Sequence, residues 1–135
     1  MTIKNLLASS KNPFWIAIFW TFLIIYLSLK TTIDIPKSSF QNEDKIVHFT
    51  FYLGFVILWY RYLLFKNSIL LDYKIALVIS SIFFGIVIEF AQKYLTTTRQ
   101  ADIWDVAANT TGALVGIFIA TKFFKKNKTS KVIDK

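Results

Sequence analysis

The chain has no cysteine. Disulfide frameworks, thiolate metal centres and cysteine nucleophiles are therefore excluded. It has one histidine, His48, so no multi-histidine metal site can form within a single chain. Four glycines are spread along 135 residues without a glycine-rich phosphate loop, and no nucleophile motif is present. Charged residues make up 18% of the chain, against about 25% in a typical soluble domain. In their place stand 55% hydrophobic residues. The length suits one domain. The net charge of +8 looks like nucleic-acid binding only until the charges are placed: they fall almost entirely between apolar blocks.

Four of these blocks are long enough to cross a bilayer, which takes roughly 17–25 mostly apolar residues. They run from about 13 to 29, 46 to 65, 75 to 95 and 103 to 124. Asn12-Pro13 is a good helix start, since proline at the first helical position wastes no donor. The connections are short and polar; the shortest, Thr96–Ala101, predicts a tight antiparallel hairpin of the third and fourth spans. The blocks are apolar around their whole circumference, whereas a soluble surface helix shows one apolar stripe. The first block is expected to stay as a span, because Ser28-Leu29-Lys30 offers no small-x-small cleavage site. The expected organisation is an all-α bundle of four transmembrane helices: one membrane domain over 1–124, then a basic cytoplasmic tail over 125–135 that contacts anionic lipid rather than nucleic acid.

Orientation follows from the lysine and arginine bias of the short loops. With the N-terminus in the cytoplasm, the inside holds Lys4, Lys11, Arg61, Lys66, Lys74 and the lysines from Lys122 onward. The outside holds only Lys30, Lys37, Lys45, Lys93 and Arg99. Both termini are therefore expected inside. The acids give independent information: Asp34, Glu43, Asp44, Glu89, Asp102 and Asp105 all fall at the outer face, and only Asp72 and Asp134 inside.

On helices these acids collect with other polar groups. Asp44 and His48 are four positions apart and share a face, with Lys45 beside them. Glu89 and Gln92 lie near the outer end of the third span, with Ser81 and Gly85 continuing that face. Asp105 and Asn109 open the fourth span, with Gly112 and Gly116 below, and Arg99 and Asp102 sit in the linking turn. At helical rise, Glu89 lies roughly 9 Å from its helix end. A charge inside a span costs about 2.5–3.5 kcal/mol on insertion scales, so these groups must face the bundle and find partners. Gly112-x-x-x-Gly116 lets another helix approach closely. The expected result is a polar pocket walled by spans two, three and four and open to the outer face.

Each residue also has a plainer reading. Asp44 and Asp102 are good helix caps. Lys45 is a snorkelling side chain at an interface. Gln92 and Asn109 serve as helix-to-helix amides. Glu89 pairs with Arg99 or Lys93. Trp15, Trp20, Trp59 and Trp104 are interface anchors. Against these, histidine is the side-chain type suited to proton transfer near neutral pH, and an Asp44 partner would orient His48 as a base or donor.

At these residues the sequence resembles the VanZ-like family of small bacterial membrane proteins. The matching elements are Asp44-Lys45-x-x-His48-Phe49, Glu89-x-x-Gln92, Arg99-x-x-Asp102-x-x-Asp105 and Asn109-x-x-Gly112-x-x-x-Gly116, covering about 44–118. The resemblance implies a four-helix protein of the bacterial cell membrane. Its founding member is associated with low-level resistance to teicoplanin, a lipoglycopeptide acting on the outer cell wall.

Three functions follow from the residues. The first is binding of an outer-leaflet or cell-wall ligand. Arg99 and Lys45 would take an anion, and Glu89, Asp105 and Asn109 would position hydroxyls or amines. Asp44, His48, Gln92 and Asp102 complete that binding set. The second is a membrane-embedded hydrolase or transferase on a lipid-linked substrate, with His48, Glu89 and Asp105 as acid/base groups. No cofactor is required, although Glu89, Asp105, Asp102 and His48 are ligand types that suit a divalent ion. The third, a transporter, lacks a polar residue deep in the inner half to complete a path.

Overall fold

The computed structural model describes residues 13–30, 43–66, 71–97 and 100–124. Arg99 and the basic tail over 125–135 lie outside the described residues. Within them the chain is all-helical: α1 (Pro13–Leu29), α2 (Glu43–Phe65), α3 (Leu71–Leu95) and α4 (Ile103–Phe123). The last three have 23, 25 and 21 residues and are long and apolar enough to cross a membrane, while α1 is apolar but shorter, at 17 residues.

Two helices begin earlier than the apolar runs imply, α2 at Glu43 rather than Ile46 and α3 at Leu71 rather than Ile75. Counting apolar residues misses a polar first turn. Glu43 and Asp44 open α2, and Asp72 opens α3. Carboxylates there face the positive end of the helix dipole and stabilise the start.

The outward surface is apolar on every helix. Trp15, Phe83 and Phe118 are 66%, 67% and 61% exposed. Such a surface has no place in water over whole helices and suits lipid. Lipid in turn removes the usual hydrophobic drive between helices, so close packing of small residues and hydrogen bonds must hold the bundle. Both are present. The most extensive packing joins α2 and α4, which run parallel. A Cβ on Gly112 would run into the main-chain carbonyl of Phe49, and one on Gly116 would lie 2.9 Å from that of Leu53. The two backbones are thus in direct contact. The third and fourth helices are antiparallel neighbours, as their short link predicts, but their packing is the lesser of the two.

Helix α1 packs against α2 and α3. Trp20 donates its indole N–H to the Phe51 carbonyl at 2.9 Å, and Trp59 donates to the Thr21 hydroxyl at 3.2 Å. Gly54 makes room for the Trp20 ring, since a Cβ there would lie 2.8 Å from it. Two of the four tryptophans expected as interface anchors therefore join helices inside the bundle. Trp15 and Trp104 stay exposed.

Candidate functional site

The polar groups assemble where α1 and α3 end and α2 and α4 begin. Asp102 organises the rim. It is the N-cap of α4, with φ −122° and ψ 124°, and its side chain accepts from the Trp104 N–H at 2.9 Å. Its other carboxylate oxygen accepts from Lys45 at 2.8 Å. Its main-chain N–H donates to Glu89 Oε2 at 3.3 Å. One turn-forming residue thus ties α2, α3 and α4 together. The Lys45 ammonium, and then the Trp104 N–H, hold the Asp102 carboxyl below the usual carboxylate range.

Lys45 also donates to Asp105 Oδ1 at 2.8 Å. Its head lies between two carboxylates with the side chain 31% exposed, so it is a half-buried ion-pair partner at the rim of the site. The expected cap at Asp44 also differs: Asp44 lies in the first turn of α2, where its exposed side chain is on the His48 face.

His48 is the centre of the next layer. Its Nδ1 lies 3.0 Å from Asn109 Oδ1 and 3.6 Å from Glu89 Oε1. Its Nε2 lies 3.9 Å from Asp44 Oδ1 and 3.8 Å from Asp105 Oδ2. His48, Glu89, Asp105 and Asn109 are all buried. The set carries more acid than base: Asp44, Glu89, Asp102 and Asp105 surround Lys45 and His48. The ligand atoms of Asp44, His48 and Asp105 all lie within 4.8 Å of one another, whereas Glu89 sits on the opposite, Nδ1 edge of the ring.

One turn below His48 is Tyr52, a residue its sequence position alone disguises as another core aromatic. Tyr52 and Asn109 both press on Gly85, whose absent Cβ would lie 3.3 Å from the tyrosine ring and 3.1 Å from the Asn109 amide nitrogen. Among the described residues, four buried polar atoms in this region have no hydrogen-bond partner: Tyr52 Oη, Ser81 Oγ, Glu89 Oε1 and Asn109 Nδ2. Natural structures leave few such atoms, because each costs about 1–3 kcal/mol unless something pairs with it. Below them Phe55 and Phe84 stack at 5.3 Å, and Tyr52 packs on Phe84 at 5.9 Å. The polar seam ends on this aromatic floor. The spacing that could have revealed Tyr52 is its four-residue offset from His48 on the inward face of α2.

Gln92 departs from the group. Its amide donates to the Ser28 carbonyl of α1 at 3.1 Å, so it joins helices and does not face His48. The structure therefore brings together Asp44, Lys45, His48, Glu89, Asp102, Asp105 and Asn109, and sets Gln92 against α1.

Apolar helices around a buried ionic cluster define a membrane-embedded helical bundle. The chain belongs to the VanZ/LLP1 family, whose family model matches residues 7–125, most of the sequence. Searches of the curated proteins and of the solved structures return no match.

Proposed function

We propose that the protein is a multi-pass protein of the bacterial cell membrane with both termini in the cytoplasm, and that its ionic cluster opens on the outer face to bind a polar group of an outer-leaflet or cell-envelope molecule. Residues 1–124 act as one membrane domain and 125–135 as a cytoplasmic tail. Asp44, Lys45, His48, Glu89, Asp102, Asp105 and Asn109 are its binding residues, and Arg99, outside the described residues, is proposed with them as an anion ligand. One observation carries this reading: Glu89 Oε1 and Asn109 Nδ2, an acceptor and a donor, are buried beside His48 and find no hydrogen-bond partner among the described residues. Charged groups within a membrane domain mark functional sites by default. The loop charge bias supports the orientation.

Two measurements test it. The natural chain has no cysteine, so single-cysteine variants are clean reporters. Thr97→Cys should react with a membrane-impermeant maleimide added outside cells, and Asp72→Cys should not; the reverse pattern rejects the orientation. Native mass spectrometry of protein extracted in mild detergent should show a bound lipid that Glu89→Gln loses. Equal lipid occupancy in the variant rejects the pocket. A role in teicoplanin susceptibility belongs to this reading, and would appear as a shifted inhibitory concentration when the protein is removed.

A second reading is favoured by the His48 ring, held by Asn109 with its other nitrogen toward two carboxylates. This is an orientation that suits acid/base chemistry by His48, Glu89 and Asp105 on a lipid-linked substrate. Unchanged turnover of such a substrate in both His48→Ala and Glu89→Gln membranes removes it.

A further inference from the structure

The two edges of the His48 ring face different things. Nδ1 meets two acceptors, Asn109 Oδ1 at 3.0 Å and Glu89 Oε1 at 3.6 Å. In the neutral ring, an acceptor at hydrogen-bond distance places the proton on Nδ1 and leaves the lone pair on Nε2. That lone pair lies between Asp44 Oδ1 at 3.9 Å and Asp105 Oδ2 at 3.8 Å. In that neutral form three electron-rich atoms converge there. The gaps are too long for direct hydrogen bonds. Metal bonds of about 2.0–2.2 Å place neighbouring ligand atoms roughly 3.0–3.6 Å apart, so each carboxylate oxygen is within a few tenths of an ångström of that spacing from Nε2, and all three atoms lie within 4.8 Å of one another.

We propose that Asp44, His48 and Asp105 hold a divalent first-row metal ion, and that its open positions face the mouth of the site, where they take an oxygen of a phosphate or carboxylate. One imidazole and two carboxylates suit Mn²⁺ or Zn²⁺. Lys45 binds Asp105 Oδ1 and leaves Oδ2 for the ion. Asp44, with a side chain 52% exposed, is on the solvent side of the ion. A second observation points the same way. Glu89 Oε1 is buried without a hydrogen-bond partner beside the Nδ1 edge. A ligating histidine commonly donates its other N–H to an oxygen acceptor such as a carboxylate or carbonyl, which fixes the tautomer and strengthens the ligand. Asn109 and Glu89 occupy those places. An ion also supplies the positive charge that the excess carboxylates call for. The bound oxygen belongs to the outer-leaflet ligand and so rests on the reading above; the ion itself does not.

The test uses the full chain purified in detergent, stripped with EDTA and titrated with Mn²⁺ alone. The expected result is saturable binding of a single ion per chain, with nitrogen hyperfine coupling in pulsed electron paramagnetic resonance, and displacement by Zn²⁺. His48→Gln should abolish the nitrogen coupling, and Asp105→Asn should weaken binding by about 10-fold or more. Thermal unfolding checks that each variant is folded. Where a variant does not fold, the wild-type spectrum decides, since only His48 can supply an imidazole. No saturable binding, or binding without nitrogen coupling, overturns the proposal and leaves an adventitious ion only. Lipid retained by the EDTA-stripped protein that binds no Mn²⁺ sinks the ion alone. A nitrogen-coupled ion on protein that carries no lipid adduct sinks the outer-ligand reading alone.

Discussion

The Gln92 side-chain amide on α3 donates to the Ser28 carbonyl on α1 at 3.1 Å, fully inside the bundle. Ser28 lies in the last turn of its helix, where carbonyls lack an intrahelical partner. The first helix is therefore docked beside the site's own helix and does more than anchor the chain.

Replacing Gln92 with Leu should loosen α1. Hydrogen bonds between membrane helices contribute about 0.6–2 kcal/mol. Unfolding in mixed micelles should show a loss of that size, together with faster labelling of a cysteine placed at Ala17, which is buried in the native bundle. Lipid binding at the His48 cluster should be less affected than in Glu89→Gln.

Gly112→Ala should be far more damaging than Gly85→Ala. The first puts a methyl group into the Phe49 main chain, which has nowhere to move; the second meets side chains at 3.1–3.3 Å that can yield. Overpacking of this kind costs about 1–3 kcal/mol. Thermal melts in detergent should place Gly112→Ala at or beyond the top of that range and Gly85→Ala below it.

Lys45→Met removes the partner of both Asp102 and Asp105. Asp102 is partly exposed and water will screen it, but Asp105 is 5% exposed and would be left buried and unpaired. A loss of about 1–3 kcal/mol is expected, below the cost of breaking a fully buried pair. In an Asp105→Asn background the same change should cost much less. Equal costs in both backgrounds would show that Lys45 and Asp105 are not coupled.

Asp102 predicts the acid response of the rim. Lys45 and the α4 N–H group lower its carboxyl pKa in the folded chain. Its contribution is therefore complete above the unfolded value, about 3.9, and is lost as pH falls through the lowered folded value. Melting temperature measured between pH 6 and pH 3 should fall less steeply in Asp102→Asn than in the natural chain.

Much of this was legible in the sequence, for physical reasons that also explain what was not. Four long apolar blocks with few internal charges have few ways to be satisfied except as membrane helices. Acids and amides spaced three or four apart at one end of those blocks had to face inward, and His48, Glu89, Asp105 and Asn109 do, while Asp44 joins them from the exposed first turn of α2. Gln92 escaped because three residues from Glu89 is roughly 60° round the helix, enough to face a different neighbour. Lys45 carries two readings in the sequence, snorkelling and anion binding, because a sequence does not show that two carboxylates flank its head. Trp20 and Trp59 were read as anchors because membrane tryptophans favour interfaces, yet their indole N–H groups found acceptors on a facing helix. Asp102 was the reverse case: cap and ion-pair partner proved to be one residue.

The touching backbones of α2 and α4 set how the site can move. Asp44, Lys45 and His48 ride on one of these helices, and Asp105 and Asn109 on the other. With Gly112 and Gly116 seated on Phe49 and Leu53, the pair cannot slide without collision, and parting would give up its closest packing. These five side chains therefore travel as a fixed jaw. Any opening or clamping of the cluster falls to Glu89, carried by α3 on the less tightly packed flank.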